Sequence, residues 1–314
     1  MSKDSFTPPQ PLNTAVLFLV FNRLDTTKQV FEAIREAKPP RLYIAADGAR
    51  ETKAGEAEKV TAVRDFILKN IDWECDIKTL FREENLGCKY AVSGAIDWFF
   101  DNEEMGIILE DDCLPSQSFF WFCDELLERY KDEYRIGQIS GTNVLGKYKV
   151  ANHSYHFSNF GSIWGWATWK RAWKYYDITM QEFNFIKEHK LLESVITNKD
   201  EYKIRMKSFE ETYNNKIDTW DYQWIYSRLI NKVLIIIPSI NLISNIGFGE
   251  DATHTNMKES PLNNKKSYEG ILPLIHPKYM LANKEFEKLV HIKKHISFSK
   301  RIINKIRRSI WEKK

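Results

Sequence analysis

The chain has 314 residues, 43% of them hydrophobic, which is enough for one large domain or two smaller ones with a real core. Its net charge of +3 gives no bulk-charge argument for nucleic-acid binding. Four cysteines without CxxC spacing predict reduced thiols in a cytosolic protein, and the polar N-terminus does not resemble a signal peptide. No apolar run approaches the ~20 residues that cross a bilayer.

Strands and helices alternate through the first 140 residues. Residue 25 is an aspartate that we expect to cap the first helix, which Pro39 and Pro40 end. The alternation predicts an α/β fold with a mostly parallel sheet between helices, an arrangement that commonly binds nucleotides. The apolar patterns place strands at 15–21, 42–46, 76–81, 106–109 and 136–140, and helices after residue 25 and at about 56–70, 88–100 and 117–131.

Three adjacent carboxylates, Glu110, Asp111 and Asp112, follow the strand at 106–109 directly. Open α/β sheets keep their ligands at the carboxyl ends of strands. One interpretation of the triplet is a solvated acidic turn. The other is a site for a divalent cation, because buried acids repel one another unless a positive charge lies among them. No GxGxxG follows the first strand and no GxxxxGK[ST] occurs, so any phosphate would be held by such a metal instead.

Residues 157–176 contain four tryptophans and no acid, with glycines between the rings. The rings either belong to the core or leave faces uncovered for stacking on a sugar, with Trp164 and Trp166 as the candidates for lining such a site. Further on, Asp218 and Asp221 lie at the start of a helix predicted at about 220–232, and Trp220 stands directly before Asp221. Each carboxylate is either a helix cap or, beside the indoles, a general base.

A glycine-rich loop at 245–254 carries one imidazole, His254, either as a surface residue or as a group that contacts a diphosphate or a metal. The end of the chain is strongly basic. Residues 291–314 carry nine Lys or Arg and one Glu, a charge of +8 that leaves −5 for the remainder. This pattern predicts a basic amphipathic helix that binds an anionic membrane surface, and no nucleic acid. Its apolar face consists of Ile292, Ile296, Ile303, Ile306 and Ile310.

Taken in order, the motifs resemble the GT-A nucleotide-sugar glycosyltransferases. The closest resemblance is to the inverting N-acetylglucosaminyltransferase family that starts complex N-glycan branching, and to bacterial surface-polysaccharide enzymes. One departure is that Tyr222 and Gln223 separate the candidate base from Trp224, where the family has a second acid and a tighter spacing. The motifs span roughly residues 15–255 and are Asn22-Arg23, Asp47-Gly48, Glu110-Asp111-Asp112, the segment 161–166, Trp220-Asp221 and Asn245-Ile246-Gly247.

The resemblance implies a role for each matching residue. Arg23 and Asp47 correspond to contacts of the nucleotide base, and Glu110 and Asp111 to contacts of the donor's ribose and sugar. Asp112 corresponds to the ligand of a divalent cation, Mn²⁺ or Mg²⁺. Asp221 corresponds to the catalytic base. The residues themselves, apart from the resemblance, suggest acceptor-lining rings at Trp164, Trp166 and Trp220 and His254 as a second candidate for the metal.

The predicted function is a metal-dependent inverting transfer of a sugar from a nucleotide-sugar, with UDP-sugars favoured, to a glycan or lipid-linked acceptor in bacterial capsule or lipopolysaccharide synthesis. The alternatives are a sugar-nucleotide nucleotidyltransferase and a non-catalytic nucleotide-sugar-binding or carbohydrate-binding module. The predicted parts are a donor-binding region at 1–150, an acceptor and base region of the same domain at 151–284, and a basic tail at 285–314. We expect a cytoplasmic protein held peripherally at the inner membrane by that tail.

Overall fold

The computed structural model describes residues 6–247, 265–270 and 272–293. His254 and residues 294–314, which include most of the predicted amphipathic tail, lie outside the described residues.

The described part of the chain contains ten strands, nine α-helices and one short 3-10 helix, Leu191–Ser194. The strands are β1 Val16–Val20, β2 Arg41–Ala46, β3 Asp76–Phe81, β4 Met105–Glu110, β5 Cys113–Pro115, β6 Ile136–Ser140, β7 Tyr155–Ser158, β8 Trp166–Trp169, β9 Leu234–Pro238 and β10 Ile243–Asn245. The helices are α1 Leu24–Ala37, α2 Glu56–Asn70, α3 Gly87–Asn102, α4 Gln117–Arg129, α5 Lys170–Trp173, α6 Phe183–Glu188, α7 Lys199–Tyr213, α8 Asp221–Ile230 and α9 at 284–293.

Within the described residues, eight strands form one sheet in the order β3-β2-β1-β4-β8-β6-β9-β7. The strands β3, β2, β1 and β4 are parallel, and so are β6 and β9, while β8 and β7 run antiparallel to their neighbours. The central strand β1 is buried along its whole length, as its apolar sequence predicts for a strand covered on both faces. The predicted α/β class with a mostly parallel, Rossmann-like sheet is confirmed.

The start of α1 differs from the prediction. Helix α1 begins at Leu24 with Arg23 at its N-cap, and Asp25 lies inside the first turn. The carbonyl of Arg23 accepts hydrogen bonds from the backbone N–H and the hydroxyl of Thr27. These bonds close a first turn of the helix that begins before Asp25 rather than after it. Asp25 still acts favourably there, because a negative charge in the first turn complements the helix dipole.

The strands β7 and β8 were not anticipated in the aromatic segment. Antiparallel pairing inserts β8 between β4 and β6, so that Ile108 lies opposite Trp166. The four-residue strands are buried on both faces and therefore lack the polar alternation that marks a strand in sequence. As a result, the tryptophan-rich segment lies beside the strand that carries the acidic triplet.

Helix α9 packs onto the body of the protein. Phe286 and Val290 are buried in one apolar cluster with Val144, Ile235 and Ile237. The carboxylate of Glu287 accepts hydrogen bonds at 2.8 Å from the backbone of Asn159 and at 3.2 Å from the Ser158 hydroxyl. Residues 284–293 are therefore part of the folded body. Among the described residues, no helix is both long and apolar enough to span a membrane.

We expect Phe286→Ala to lower the free energy of unfolding by about 3–5 kcal/mol, because it empties a buried aromatic site. Leu289→Ala on the same helix removes a side chain that is 38% exposed, against 2% for Phe286, and should cost under about 1 kcal/mol. Urea unfolding of the full chain measures both values. Equal losses for the two variants would contradict the packing of α9.

Candidate functional site

A cavity of about 670 Å³ opens where β1, β2 and β4 end. We call it the strand-end cavity. Its position follows from the parallel part of the sheet, since the carboxyl ends of parallel strands meet at one edge. Eight of the residues selected from the sequence line this cavity: Arg23, Asp47, Glu110, Asp111, Asp112, Trp164, Trp220 and Asp221.

The acidic triplet is held between two pairs of strands. Glu110 ends β4 and pairs with Leu19 of β1. Asp111 and Asp112 form the turn to β5, and β5 pairs antiparallel with β10. The backbone N–H of Ile246 donates to the carbonyl of Asp112 at 2.8 Å, so both flanks of the turn are fixed by backbone hydrogen bonds.

Residue 247 must be a glycine for β10 to lie against this turn. A Cβ atom at Gly247 would stand 2.2 Å from Oδ2 of Asp112, a distance that real Cβ contacts do not reach. The neighbouring Asn245 side chain directs its amide toward Oδ1 of Asp112 at 3.5 Å. The Asn-x-Gly stretch thus lets the backbone after β10 lie directly against the carboxylate of Asp112.

Arg23 supplies positive charge to the triplet. Its Nη1 donates to Oδ2 of Asp112 at 3.0 Å, and its Nη2 forms an ion pair with Asp111. Burial by itself would lower the pKa of Arg23, but the charges of Asp111 and Asp112 and their hydrogen bonds outweigh it and raise that pKa. In this structure Arg23 therefore contacts the acids, whereas the sequence suggested a contact with a nucleotide base.

One arginine does not satisfy all the oxygens of the three acids. Burial raises the pKa of Glu110 to about 8, and the charges of Asp112 and Asp111 add to this effect. Burial likewise raises the pKa of Asp111 to about 6, against the opposing charge of Arg23. Oε1 of Glu110 and Oδ2 of Asp111 are buried with no hydrogen-bond donor among the described residues. Such acceptors are costly unless a ligand hydroxyl, an amide or a cation completes them.

The donor set fits a hard divalent cation that shares its ligands with a phosphate. Carboxylate oxygens are the ligands that Mg²⁺ and Mn²⁺ prefer, and Mg²⁺ commonly takes one or two carboxylates together with substrate phosphates. Within the described ranges, no three His, Cys, Asp or Glu side chains form a complete metal cage. The predicted Mn²⁺ or Mg²⁺ at Asp112 therefore stays a prediction, with the phosphate as the missing partner. A role for His254 lies outside the described residues.

Asp221 stands on another wall of the same cavity, in the first turn of α8. Its Oδ1 accepts hydrogen bonds from the Thr219 hydroxyl and, at 2.9 Å, from the backbone of Tyr222. Trp220, and not Asp221, is at the N-cap position. Among the described residues, no hydrogen bond reaches Oδ2 of Asp221, which leaves one carboxylate oxygen available to a ligand.

Asp218 caps α3, whereas its position in the sequence suggested that it caps α8. Its carboxylate accepts backbone hydrogen bonds at 3.0 Å from Cys88 and from Lys89, in the first turn of α3. Asp47 accepts from Leu86 and Gly87 immediately before them, at 3.0–3.1 Å. Two carboxylates of the protein thus occupy the start of α3, which in many nucleotide-binding sheets receives a phosphate.

Most of the tryptophan cluster is core. Trp166 is fully buried and stacks on Trp220 at 5.7 Å, with Trp173 and Trp224 around it. The prediction that Trp166 lines an acceptor site is therefore wrong, because β8 directs its ring into the packed interior. Trp220 reaches the cavity wall but is only 2% exposed. Trp164 is the one of the three predicted rings that is only partly buried at the cavity.

Sequence reasoning missed two basic residues in this cavity. Arg50 lies four residues after β2, where it pairs with Glu56 at the start of α2. Arg82 follows β3 directly and donates to the carbonyl of Ala91 at 3.0 Å. Their positions after consecutive parallel strands were the signal that could have identified them, since such strand ends share one edge of the sheet.

No family model matches the chain, and no curated protein matches its sequence. Solved structures that match include HddC from Yersinia pseudotuberculosis, at 12% identity and a TM-score of 0.29, over 50% of this chain and 77% of that one. The same protein complexed with GMP-PN matches at 13% identity, with the same TM-score and the same coverage. UDP-glucose pyrophosphorylase complexed with UDP-glucose matches at 12% identity and a TM-score of 0.32, over 52% and 79%. Matches at these TM-scores carry no argument about the reaction, and none of the three is named as a glycosyltransferase.

Proposed function

We propose that the protein is a metal-dependent inverting glycosyltransferase of GT-A type that uses a nucleotide-sugar, with a UDP-sugar favoured. The observation that carries the proposal is that Asp221 and the acidic triplet line one cavity although they lie far apart in sequence. Buried acceptors on one wall and a carboxylate with an available oxygen on another are what a donor site and a general base require.

The donor would lie along the ends of β1, β2 and β4. Glu110 and Asp111 have buried oxygens without a donor, which ribose or sugar hydroxyls would satisfy. Asp112 would hold the divalent cation, and a bound cation neutralises the diphosphate as it leaves. Arg23 would then remain on Asp111 or turn toward the nucleotide, with Asp47 at the edge of the base site.

Asp221 would act on the acceptor. Its Thr219 and Tyr222 hydrogen bonds orient the carboxylate, and Oδ2 takes the proton of the acceptor hydroxyl. The oxygen of that hydroxyl forms a bond to the anomeric carbon while the bond from that carbon to the diphosphate breaks, and the diphosphate keeps the electron pair. A single displacement from the opposite face inverts the anomeric configuration.

The alternative is a sugar-nucleotide nucleotidyltransferase, the kind of activity that the name of the matched UDP-glucose pyrophosphorylase indicates. Of the two functions it is the one that a matched structure names, although a TM-score of 0.32 gives this no weight. We place it second because the turn after β1, from Phe21 to Arg23, lacks the glycine-rich basic phosphate loop that such a reaction would be expected to use. Incubation with UTP and glucose 1-phosphate, followed by detection of pyrophosphate, separates the two reactions.

The acceptor and the location complete the proposal. A glycan or lipid-linked acceptor of capsule or lipopolysaccharide synthesis would be reached at the cytoplasmic face of the inner membrane. The basic residues beyond Lys293 would bind anionic lipid there, since each contributes on the order of 1 kcal/mol near such a surface. A non-catalytic binding module would fill the same cavity but would hydrolyse no donor.

Asp221→Asn should lower turnover roughly 10²–10⁴-fold, because the amide cannot accept the acceptor proton. Affinity for the nucleotide-sugar should stay nearly constant, since the triplet is untouched. Steady-state kinetics and calorimetric donor binding measure the two effects, with Asp132→Asn at an exposed position as the control. Unchanged turnover in Asp221→Asn would remove the base assignment.

Asp112→Ala should abolish Mn²⁺-dependent binding of a nucleotide-sugar while the protein remains folded. Titration calorimetry of UDP-glucose and UDP-N-acetylglucosamine, with Mn²⁺ and with EDTA, measures the dependence. Donor affinity that is identical with and without Mn²⁺ in the unmodified protein would contradict the metal role.

A chain ending after Lys293 should lose binding to phosphatidylglycerol vesicles and keep activity on soluble acceptors. The cut lies at 293 because α9 packs on the body and an earlier end would remove buried Phe286 and Val290. Vesicle co-sedimentation measures binding, and neutral phosphatidylcholine vesicles serve as the control. Undiminished binding by the shortened chain would refute the membrane role of the tail.

A further inference from the structure

A second cavity, of about 540 Å³, lies between α7, α9 and residues 160–161. We call it the helix-side cavity. It falls in the size range of small-molecule sites, about 300–1,000 Å³. Nothing derived above uses it, and the strand-end cavity shares none of its lining residues.

One short segment of the chain contributes to the walls of both cavities. Phe160 and Gly161 line the helix-side cavity, and Ile163 and Trp164 line the strand-end cavity. Thr142 also lines the helix-side cavity and donates its hydroxyl to the carbonyl of Trp164 at 2.9 Å. Residues 160–164 therefore connect the wall of one cavity to the wall of the other.

Among the described residues, the cations that line the helix-side cavity outnumber its carboxylates. The carboxylates are already engaged: Glu201 pairs with Arg205 at 2.8 Å and with His291 at 2.9 Å, and Glu287 pairs with Lys284 at 3.1 Å. Without counting His291, the described cations in the lining are Arg205, Lys284 and Lys288, against these two carboxylates. A fourth cation, Arg228, does not line the cavity but lies next to its wall and close to Arg205.

Arg228 is the unusual member of this group. It is 1% exposed, no carboxylate of the described residues pairs with it, and its Nε has no hydrogen-bond partner there. Its Nη1 reaches the carbonyl of Asn159 only at 3.5 Å, next to Phe160 of the cavity wall. Burial, followed by the like charge of Arg205, lowers the pKa of Arg228 to about 9. A buried cation without a counter-ion is unfavourable, and an anion bound above it would reduce that cost.

The rest of the lining suits a sugar ring. Phe160 provides partly exposed aromatic surface, with the Arg205 guanidinium 5.3 Å from the centre of its ring. Phe286 forms a buried part of the wall. Thr142 adds a hydroxyl that donates to Trp164 and can still accept, and Asn198 adds an amide whose oxygen already caps α7, which leaves its N–H groups for a sugar hydroxyl. Apolar surface with a few convergent polar groups is the usual composition of a site for a small polar molecule.

We propose that the helix-side cavity binds a negatively charged saccharide unit, a carboxylated or phosphorylated sugar, in the acceptor glycan. The word acceptor rests on the proposed glycosyltransferase activity, whereas the binding of an anionic sugar does not. The cavity would hold the unit beyond the one that reacts at Asp221, so that the acceptor spans residues 160–164.

Saturation-transfer difference NMR on the full chain tests this with methyl β-D-glucuronide, glucose 6-phosphate and the neutral methyl β-D-glucoside. We expect one or both charged sugars to bind, and the glucoside to bind at least about tenfold more weakly, because it cannot form the charge-assisted hydrogen bonds. The response of each charged probe shows whether a carboxylate or a phosphate is preferred. Equal binding of all three sugars, or no binding, would overturn the proposal.

Lys288→Glu changes an exposed lining residue and Arg205→Gln changes a paired one, and both should weaken binding of the charged probe about tenfold or more. Lys203→Glu makes the same change of charge at an exposed site of α7 outside the cavity, and should leave binding intact. An equal loss in Lys203→Glu would reduce the effect to general electrostatics and overturn the proposal.

Two further measurements keep this inference separate from the proposed activity. Charged-sugar binding should persist with saturating UDP and Mn²⁺, and its displacement would locate the sugar in the strand-end cavity and overturn the inference. UDP-sugar binding by Arg205→Gln should remain, which shows that this variant is folded. Absence of any donor hydrolysis would refute the proposed function while leaving charged-sugar binding as measured.

Discussion

The crowding of three consecutive carboxylates at the end of β4, one buried and two half-buried, is the constraint on which the rest of the site depends. Mutual repulsion and lost hydration oppose it, and Arg23 offsets them by direct contacts with Asp111 and Asp112 and only through space for Glu110. Arg23 can do so because β1 lies next to β4 and α1 begins at the following residue. The adjacency of the two strands, and not either sequence alone, determines the electrostatics of the cavity.

A second constraint joins the two halves of the cavity. The start of α3 receives Asp47 from the first half of the chain and Asp218 from the loop before α8. Gly87 begins this helix with a φ of +76°, and a side chain there would meet Asp218 at 2.8 Å. The loop that presents Asp221 is thus anchored to the same backbone that anchors the end of β2, so the proposed base and the proposed donor site share one rigid support.

Aromatic packing explains how this support is kept in place. Trp166 from β8 stacks on Trp220, immediately before Asp221, and Trp224 of the same helix donates to the side chain of Gln138 in β6 at 3.0 Å. The tryptophans that suggested sugar stacking therefore connect α8 to the sheet. Arg228 of the same helix reaches the carbonyl of Asn159, next to the wall of the helix-side cavity, although α8 itself lines only the strand-end cavity.

By itself the sequence determined the alternation of strands and helices and the presence of acids after β4, because apolar runs and helical spacing report burial directly. The bounds of β6 and α2 follow from such local patterns. Only the tertiary structure decided that Trp166 is core, that Asp218 caps α3, and that α9 packs on the body. The physical reason is that each of these three features depends on a contact with a residue distant in sequence. A local sequence pattern can indicate that a residue is buried, but it does not indicate which residue it packs against.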